Sequence, residues 1–174
     1  MKTILDQRQI SLTIKRLAHQ VLENHSTLAD TVFIGLQPRG IYFSDRIILE
    51  IRKEMSGKEI KYGKMDITFY RDDIRKNIHV PNQTSIDFSI EGKNVVLIDD
   101  VLYTGRTIRA ALDALMDFGR PEKVELLILV DRRYSRQLPI QPDYTGKVID
   151  SIVSQKVKVL WSENDGADEV GLLD

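Results

Sequence analysis

The stretch from Val95 to Thr107, Val-Val-Leu-Ile-Asp-Asp-Val-Leu-Tyr-Thr-Gly-Arg-Thr, constrains this chain more than any other. Val95–Ile98 is aliphatic and β-branched without alternation, the pattern of a parallel strand covered on both faces. Asp99 and Asp100 follow at its carboxyl end, the crevice where open α/β sheets bind ligands. From Thr104 the composition turns to Thr-Gly-x-Thr and then to Ile108, Ala111, Leu112, Leu115 and Met116 at helical spacing, so the turn opens a helix. A helix start offers N–H groups and a positive dipole end to an anion. Gly105 allows close backbone approach, and the Thr104 and Thr107 hydroxyls add donors. Asp routinely ends a strand or caps a loop, but two acids followed so closely by Thr-Gly-x-Thr exceed what a turn requires. The arrangement points to a phosphorylated sugar, with carboxylates accepting from hydroxyls and the N–H groups of residues 104–107 holding phosphate.

The rest of the chain alternates elements around this stretch. Asp6 and Gln9 read as a capping box, and Ile10, Ile14, Leu17 and Val21 predict an amphipathic helix over about 7–24. Thr31–Leu36 reads as a buried strand. A tight turn follows at Gly35-Leu36-Gln37-Pro38-Arg39-Gly40, and a helix over Ile41–Met55 faces Ile41, Ile48 and Ile51 or Leu49 inward. Residues Ile60–Tyr70 alternate as a half-buried strand with Met65, Ile67 and Phe69 on one side. Residues 71–91 are irregular, and so long an excursion inside a compact domain is usually functional. Gly119 and Pro121 stop the helix after the central stretch. Val124–Val130 is another buried strand ending in Asp131-Arg132-Arg133. Short strand-like pieces at Lys147–Ile149, Lys156–Trp161 and Val170–Leu173 read as an antiparallel edge or flap. The expected architecture is α/β: a central, mostly parallel sheet flanked by helices, with a small hood of short strands.

With 174 residues, a single domain spanning 1–174 and burying roughly 70% of its unfolded surface is expected. The chain has no cysteine, which excludes disulfide frameworks, thiolate metal sites and cysteine nucleophiles and leans toward a reducing compartment. Met1–Ile10 carries Lys2, Asp6 and Arg8 and no apolar core, so neither a signal peptide nor a membrane span is read there, and a soluble cytoplasmic protein is expected. A net charge of −1 provides no global field for nucleic acid, though a local basic patch stays compatible with it.

The Val95–Thr107 stretch resembles the phosphoribosyl pyrophosphate (PRPP) signature of type I phosphoribosyltransferases. More narrowly it is similar to the PyrR family, pyrimidine operon regulators that also have uracil phosphoribosyltransferase activity. Three further stretches follow the family's order: Gly-Leu-Gln-Pro-Arg-Gly-Ile-Tyr at 35–42 resembles its pyrophosphate loop, Asp66–Asp73 the strand before its flexible loop, and Leu138–Lys147 its hood. The resemblance implies the type I phosphoribosyltransferase fold, with a hood from the N-terminal helix edge and about 131–160. It also implies transfer of the phosphoribosyl group of PRPP to uracil, giving UMP and pyrophosphate. That chemistry needs no protein nucleophile, only positioning, neutralised charge and exclusion of water.

By the same resemblance Asp99, Asp100 and Arg39 are the catalytic set. Asp99 through Val101, Leu102, Tyr103, Thr104, Gly105, Arg106 and Thr107 hold ribose and 5′-phosphate, and Leu36, Gln37, Pro38, Arg39 and Gly40 take pyrophosphate. Mg²⁺ enters with PRPP, bound mainly by substrate oxygens and water. Residues 71–91, with Arg71, Arg75, Lys76 and His79, form a closing lid or, on the plainer reading, a solvated basic loop. Uracil falls near Val130, Asp131, Arg132, Val148 and Ile149. RNA contact, by leader-mRNA hairpins, falls on Lys15, Arg16, His19, Arg133 and Arg136, a set that equally reads as a solvated helix edge. Dimers or higher homo-oligomers are implied and no membrane partner. The chain departs from the family pattern at Asp131-Arg-Arg-Tyr-Ser-Arg-Gln-Leu-Pro-Ile140, one residue longer and without the family's Gly-His, and at Val148–Ile152. Both departures lie in the half tied to base and RNA. An RNA-binding attenuator with vestigial catalysis and a purine phosphoribosyltransferase therefore stay open as alternatives.

Overall fold

The computed structural model describes residues 1–72, 83–152 and 154–173. Strand β1 (Lys2–Leu5) leads into helix α1 (Gln7–Asn24). The helix starts where the capping box places it: Gln9 N–H donates to Asp6 Oδ1 at 2.8 Å, and Asp6 N–H donates to Gln9 Oε1 at 2.9 Å. Such a reciprocal cap satisfies two otherwise orphaned donors, at about 1 kcal/mol for the cap. Ile10, Ile14, Leu17, Ala18 and Val21 form its buried stripe. Next come β2 (Thr31–Leu36), α2 (Gly40–Glu54), β3 (Lys61–Met65), β4 (Asn94–Leu102), α3 (Arg106–Leu115), β5 (Lys123–Arg133), β6 (Tyr144–Asp150), β7 (Lys156–Leu160), the single-turn α4 (Ser162–Asp165) and β8 (Glu169–Leu173).

Five strands make the central sheet in the order β3-β2-β4-β5-β6, every neighbouring pair parallel. An apolar cluster built on α1 and α2 (Ile10, Leu17, Phe43, Ile47, Ile51) includes Phe33, Val96 and Ile98. A second, built on α3 (Ile108, Ala111, Leu115), includes Ile34, Val95 and Leu97. Covered on both faces, β2 and β4 need the unbroken apolar runs that mark them in the sequence. No described helix is long and apolar enough to cross a membrane.

The structure corrects the tail. The piece at 147–149 is part of β6, which runs parallel to β5 and closes the central sheet instead of forming an antiparallel flap. The small antiparallel sheet is β1-β8-β7, and β1 carries no marker in the sequence because its partner lies at the other end of the chain, Thr3 opposite Gly171. The strand expected over 60–70 stops at Met65, and Thr68–Tyr70 winds into a 3₁₀ turn that leaves Phe69 84% exposed. On α2, Ile48 and Ile51 point inward as expected, whereas Ile41 is half-buried and Leu49 faces outward; Phe43 and Ile47 complete the stripe. Trp161 is fully buried within the chain, stacked on Phe43 with ring centroids 6.2 Å apart.

Candidate active site

Strand β4 continues through Asp99 to Leu102, so the acid pair lies inside the last turns of the ladder, Asp99 opposite Ile128 and Leu102 opposite Asp131. Asp99 is buried, and its Oδ1 accepts the Asp100 N–H at 2.9 Å. The loop after β2 comes up against it. A Cβ on Gly40 would sit 2.6 Å from Asp99 Oδ1 and 3.2 Å from the Ile98 carbonyl, so only glycine lets the start of α2 pack onto the acid. Burial, and then the neighbouring Asp100, push the Asp99 carboxyl well above the usual range, with Arg71 opposing. Burial also raises Asp100, opposed by the Arg39 charge, the Val101 N–H and Trp161. Two such acids side by side in a low-dielectric mouth favour a ligand that brings hydrogen-bond donors or positive charge.

Beyond the pair, Val101 and Leu102 finish the strand and Tyr103–Gly105 turn the chain into α3. Gly105 adopts φ 92°, a left-handed conformation that favours glycine, and a Cβ there would meet Ile140 Cδ1 at 3.2 Å. The first intrahelical bond is Arg109 N–H to the Gly105 carbonyl, 2.9 Å, so the amides of the preceding turn lie ahead of the helical ladder. The Arg106 N–H leans on Thr104 Oγ1 at 3.3 Å. These residues, 101–108, line with Arg71 a cleft of about 200 Å³. The Arg106 guanidinium is committed elsewhere, to Gln137 Oε1 at 2.8 Å and Asp72 Oδ2 at 2.7 Å. The polar groups this loop leaves to the cleft are therefore its backbone and threonine hydroxyls.

In the 36–40 loop, Leu36 is core, the Gln37–Pro38 peptide is cis, and Gln37 donates its N–H to the Met65 carbonyl at 2.9 Å. Arg39 caps the start of α2, and its Nη2 donates to the Val159 carbonyl at 2.6 Å and to Asp165 Oδ2 at 2.7 Å. Of the expected loop cations, Arg71 lines the cleft, while Arg75, Lys76 and His79 lie outside the described residues.

The residues expected around a base sit at the ends of β5 and β6. Val130 and Ile149 are core, Val148 is 43% exposed, and Asp131 is buried and paired with Arg136. Arg132 is buried too, its guanidinium 3.9 Å over the Tyr103 ring, with Nε bonded to Ser151 Oγ at 3.0 Å and Nη2 to the Gln155 carbonyl at 2.7 Å. The residues expected at an RNA face differ in how they are engaged. Lys15 and His19 are exposed on α1, with His19 3.7 Å from Glu54. Arg16 caps carbonyls of the edge strand β6, Gly146 at 2.7 Å and Thr145 at 3.4 Å, and Arg133 is forked onto Asp150 at 2.8 and 2.9 Å. Arg136 turns inward, donating to the Tyr103 carbonyl at 2.6 Å as well as to Asp131.

Asp165, the Val159 carbonyl, Asp72 and Gln137 all hold residues of the site, and the sequence pattern marks none of them. Their partners are remote, Asp165 being 126 positions from Arg39. Among the described residues no three acids or histidines gather as a metal cage; the Asp99–Asp100 pair is the acidic element of the mouth.

Comparison with known proteins agrees with this geometry. Residues 1–162 match the phosphoribosyl transferase domain family. The chain is 44% identical, over 99% of its length and 96% of the relative's, to a protein of Elusimicrobium minutum named Bifunctional protein PyrR. It is 46% identical to a namesake from Picosynechococcus sp., over 98% and 96%. Among solved structures, a hypoxanthine phosphoribosyltransferase from Staphylococcus aureus superposes with a TM-score of 0.72 at 21% identity, covering 99% of this chain and 92% of that one. A hypoxanthine-guanine phosphoribosyltransferase from Bacillus anthracis gives 0.67 at 19% identity, covering 86% and 82%. At those identities the two structures speak for the fold alone.

Proposed function

The chain belongs to the PyrR family and carries a phosphoribosyl transferase domain, and on that footing we propose that it transfers the phosphoribosyl group of PRPP to uracil. The C1′–oxygen bond to diphosphate breaks with its electron pair leaving on the diphosphate. Uracil N1 forms the new bond to C1′ and gives up its proton to the departing diphosphate or to water, yielding UMP. The observation that carries the reading is the junction at Gly40. Buried Asp99 and half-buried Asp100 for hydroxyls lie between an amide-bearing helix start for phosphate, which continues the same strand, and an arginine loop for diphosphate, which packs onto Asp99 through Gly40. In this reading Asp99 and Asp100 hold the ribose hydroxyls, and the Thr104–Thr107 amides and hydroxyls hold the 5′-phosphate. Arg39 with the 36–40 backbone takes the diphosphate. The edges of Val130–Arg132 and Val148–Ile149 read the base.

Mg²⁺ carried in with PRPP fits a mouth that offers two carboxylates and no cage, because this ion keeps waters and substrate oxygens; bound there it would neutralise the departing diphosphate. The residue-level support is that burial pushes both carboxyls above their ordinary range despite the Arg71 and Arg39 charges, so a further cation beside them is favoured. Incubating the purified chain with uracil, PRPP and Mg²⁺ should yield UMP. A panel of bases in the same assay separates uracil from purines, and formation of a purine nucleotide without UMP would overturn the proposal.

A regulatory role on RNA belongs to the same proposal at a second level. It is supported by the relatives' printed name, Bifunctional protein, and by the exposure of Lys15 and His19 on α1. A pyrimidine-leader hairpin titrated with and without UMP tests it; binding that is undetectable in both conditions removes it.

A further inference from the structure

Arg39 does not reach its place unaided. It sits at the first turn of α2, yet its guanidinium is gripped by the opposite end of the chain: Nη2 donates to the Val159 carbonyl of β7 at 2.6 Å and to Asp165 Oδ2 of α4 at 2.7 Å. No acceptor among the described residues is assigned to its Nε or Nη1, and the side chain remains 38% exposed. Asp165 is itself over-determined. Its Oδ2 accepts the Trp161 N–H at 2.9 Å, its own N–H donates to the Trp161 carbonyl at 2.6 Å, and Asn164 Nδ2 donates to its Oδ1 at 3.2 Å. The Trp161 N–H and then Arg39 hold its carboxyl below the ordinary range, so it meets Arg39 charged. The turn carrying it is pinned to α2 by Arg46, which reaches Asp168 at 2.8 and 2.9 Å and Glu163 at 2.8 and 3.1 Å and lies 4.8 Å over the Trp161 ring.

From this arrangement we infer that Asp165, with the Val159 carbonyl, is a positioning residue that fixes the Arg39 guanidinium beside Asp100 and leaves Nε and Nη1 for the diphosphate. The inference rests on the phosphoribosyl-transfer reading and adds a residue to it. An arginine left to itself loses rotamer entropy on being ordered. A charged brace on the far side of the guanidinium removes part of that cost before the anion arrives. Asp165 acts through Arg39 and touches no reacting atom.

The test is a double-mutant cycle on the full chain, titrating inorganic diphosphate with Mg²⁺ by calorimetry. Trp161, the sole tryptophan, bonds Asp165 directly and gives a second, optical readout. Asp165→Asn keeps an oxygen for the Trp161 N–H but removes the charge, and should weaken diphosphate binding about tenfold, within the coupling that touching side chains show. In an Arg39→Ala background the same substitution should change binding less than about twofold. Asp165→Glu, which keeps the carboxylate, should retain more affinity than Asp165→Asn and serves as the second variant if the latter folds poorly. In turnover the loss should fall on the KM for PRPP more than on kcat. Equal losses in both backgrounds would mean a purely structural tether and would overturn the inference, as would unchanged or tighter binding by Asp165→Asn. If the unsubstituted chain binds diphosphate but makes no UMP, the choice of uracil fails while the brace stands; no diphosphate binding at all overturns both.

Discussion

Two neighbouring strands, β4 and β5, end side by side in acids, and the fold treats them in opposite ways. Asp131 on β5 sits opposite Leu102 of β4 and takes the Arg136 guanidinium; Arg132 and Arg133 beside it are consumed by Ser151, the Gln155 carbonyl, the Tyr103 ring and Asp150. Asp99 and Asp100 on β4 receive no ion pair among the described residues and feel Arg71 and Arg39 only through space. An acid at the carboxyl end of a strand is thus not a site in itself. What makes one is that the scaffold buries the carboxylate and withholds the counterion, leaving a ligand to supply it. At β5 the same residue type locks the loop after the strand, since Arg136 ties Asp131 to the Tyr103 carbonyl.

The contrast breaks first at Asp100. Asp100→Asn keeps the shape of the mouth and removes the charge offered to the sugar, so kcat/KM for phosphoribosyl transfer should fall by about 10²–10³, the size of a lost preorganised electrostatic contact. The melting midpoint should not fall, because burial already disfavours the charge that is removed. Full activity in the variant, or a collapsed fold, would place Asp100 with Asp131 as scaffold. The converse substitution is Arg136→Met. It strands a carboxylate whose side chain is 11% exposed, and unfolding in urea should show a loss of about 3 kcal/mol. Adding Asp131→Asn should restore at least half of it. A cost near zero for the single variant would mean that the β5 pair behaves as a surface ion pair.

The same two strands mark where the sequence could be read and where it could not. Everything on β4 and the start of α3 is local: the apolar run, the acid pair, the glycine at a left-handed φ and the helical spacing lie within a few residues of one another. Each constrains the next. The strand nevertheless runs past the apolar run to Leu102, because Asp99 and Asp100 interrupt the apolar pattern without ending the pairing with β5. Around β5 and β6 the pairing is long-range. Tyr144–Asp150 has no alternation to announce it, and Gly146 is glycine because a Cβ would strike the Leu129 carbonyl at 2.4 Å, a contact that exists only once β5 and β6 are paired. Arg16 and Arg136 look like free basic residues in sequence; one covers the exposed carbonyls of an edge strand and the other neutralises a buried acid. Brace residues such as Asp165 are invisible for the same reason.

The smallest effect separates the two strands by the sign of a melting shift. The Asp99 carboxyl is raised well above its ordinary value of 3.8, chiefly by burial and next by Asp100. A group raised in the folded state contributes stability that is full below the unfolded value and is lost as pH rises through the folded value. At neutral pH this buried carboxyl is therefore a liability, and Asp99→Asn, whose amide oxygen can still accept the Asp100 N–H, should melt higher than the parent by a few degrees, about what 1 kcal/mol gives in a chain of this length. The gap should narrow as pH falls and close below the ordinary carboxyl value of 3.8, where the parent's carboxyl is neutral in both states. Asp131→Asn should behave oppositely at neutral pH, melting lower, because its charge is met by Arg136. A gap for Asp99→Asn that persists in acid would trace the gain to packing and not to charge. A loss at neutral pH would show that Asp99 is already paired in the free protein, which would remove the difference between the two strand ends.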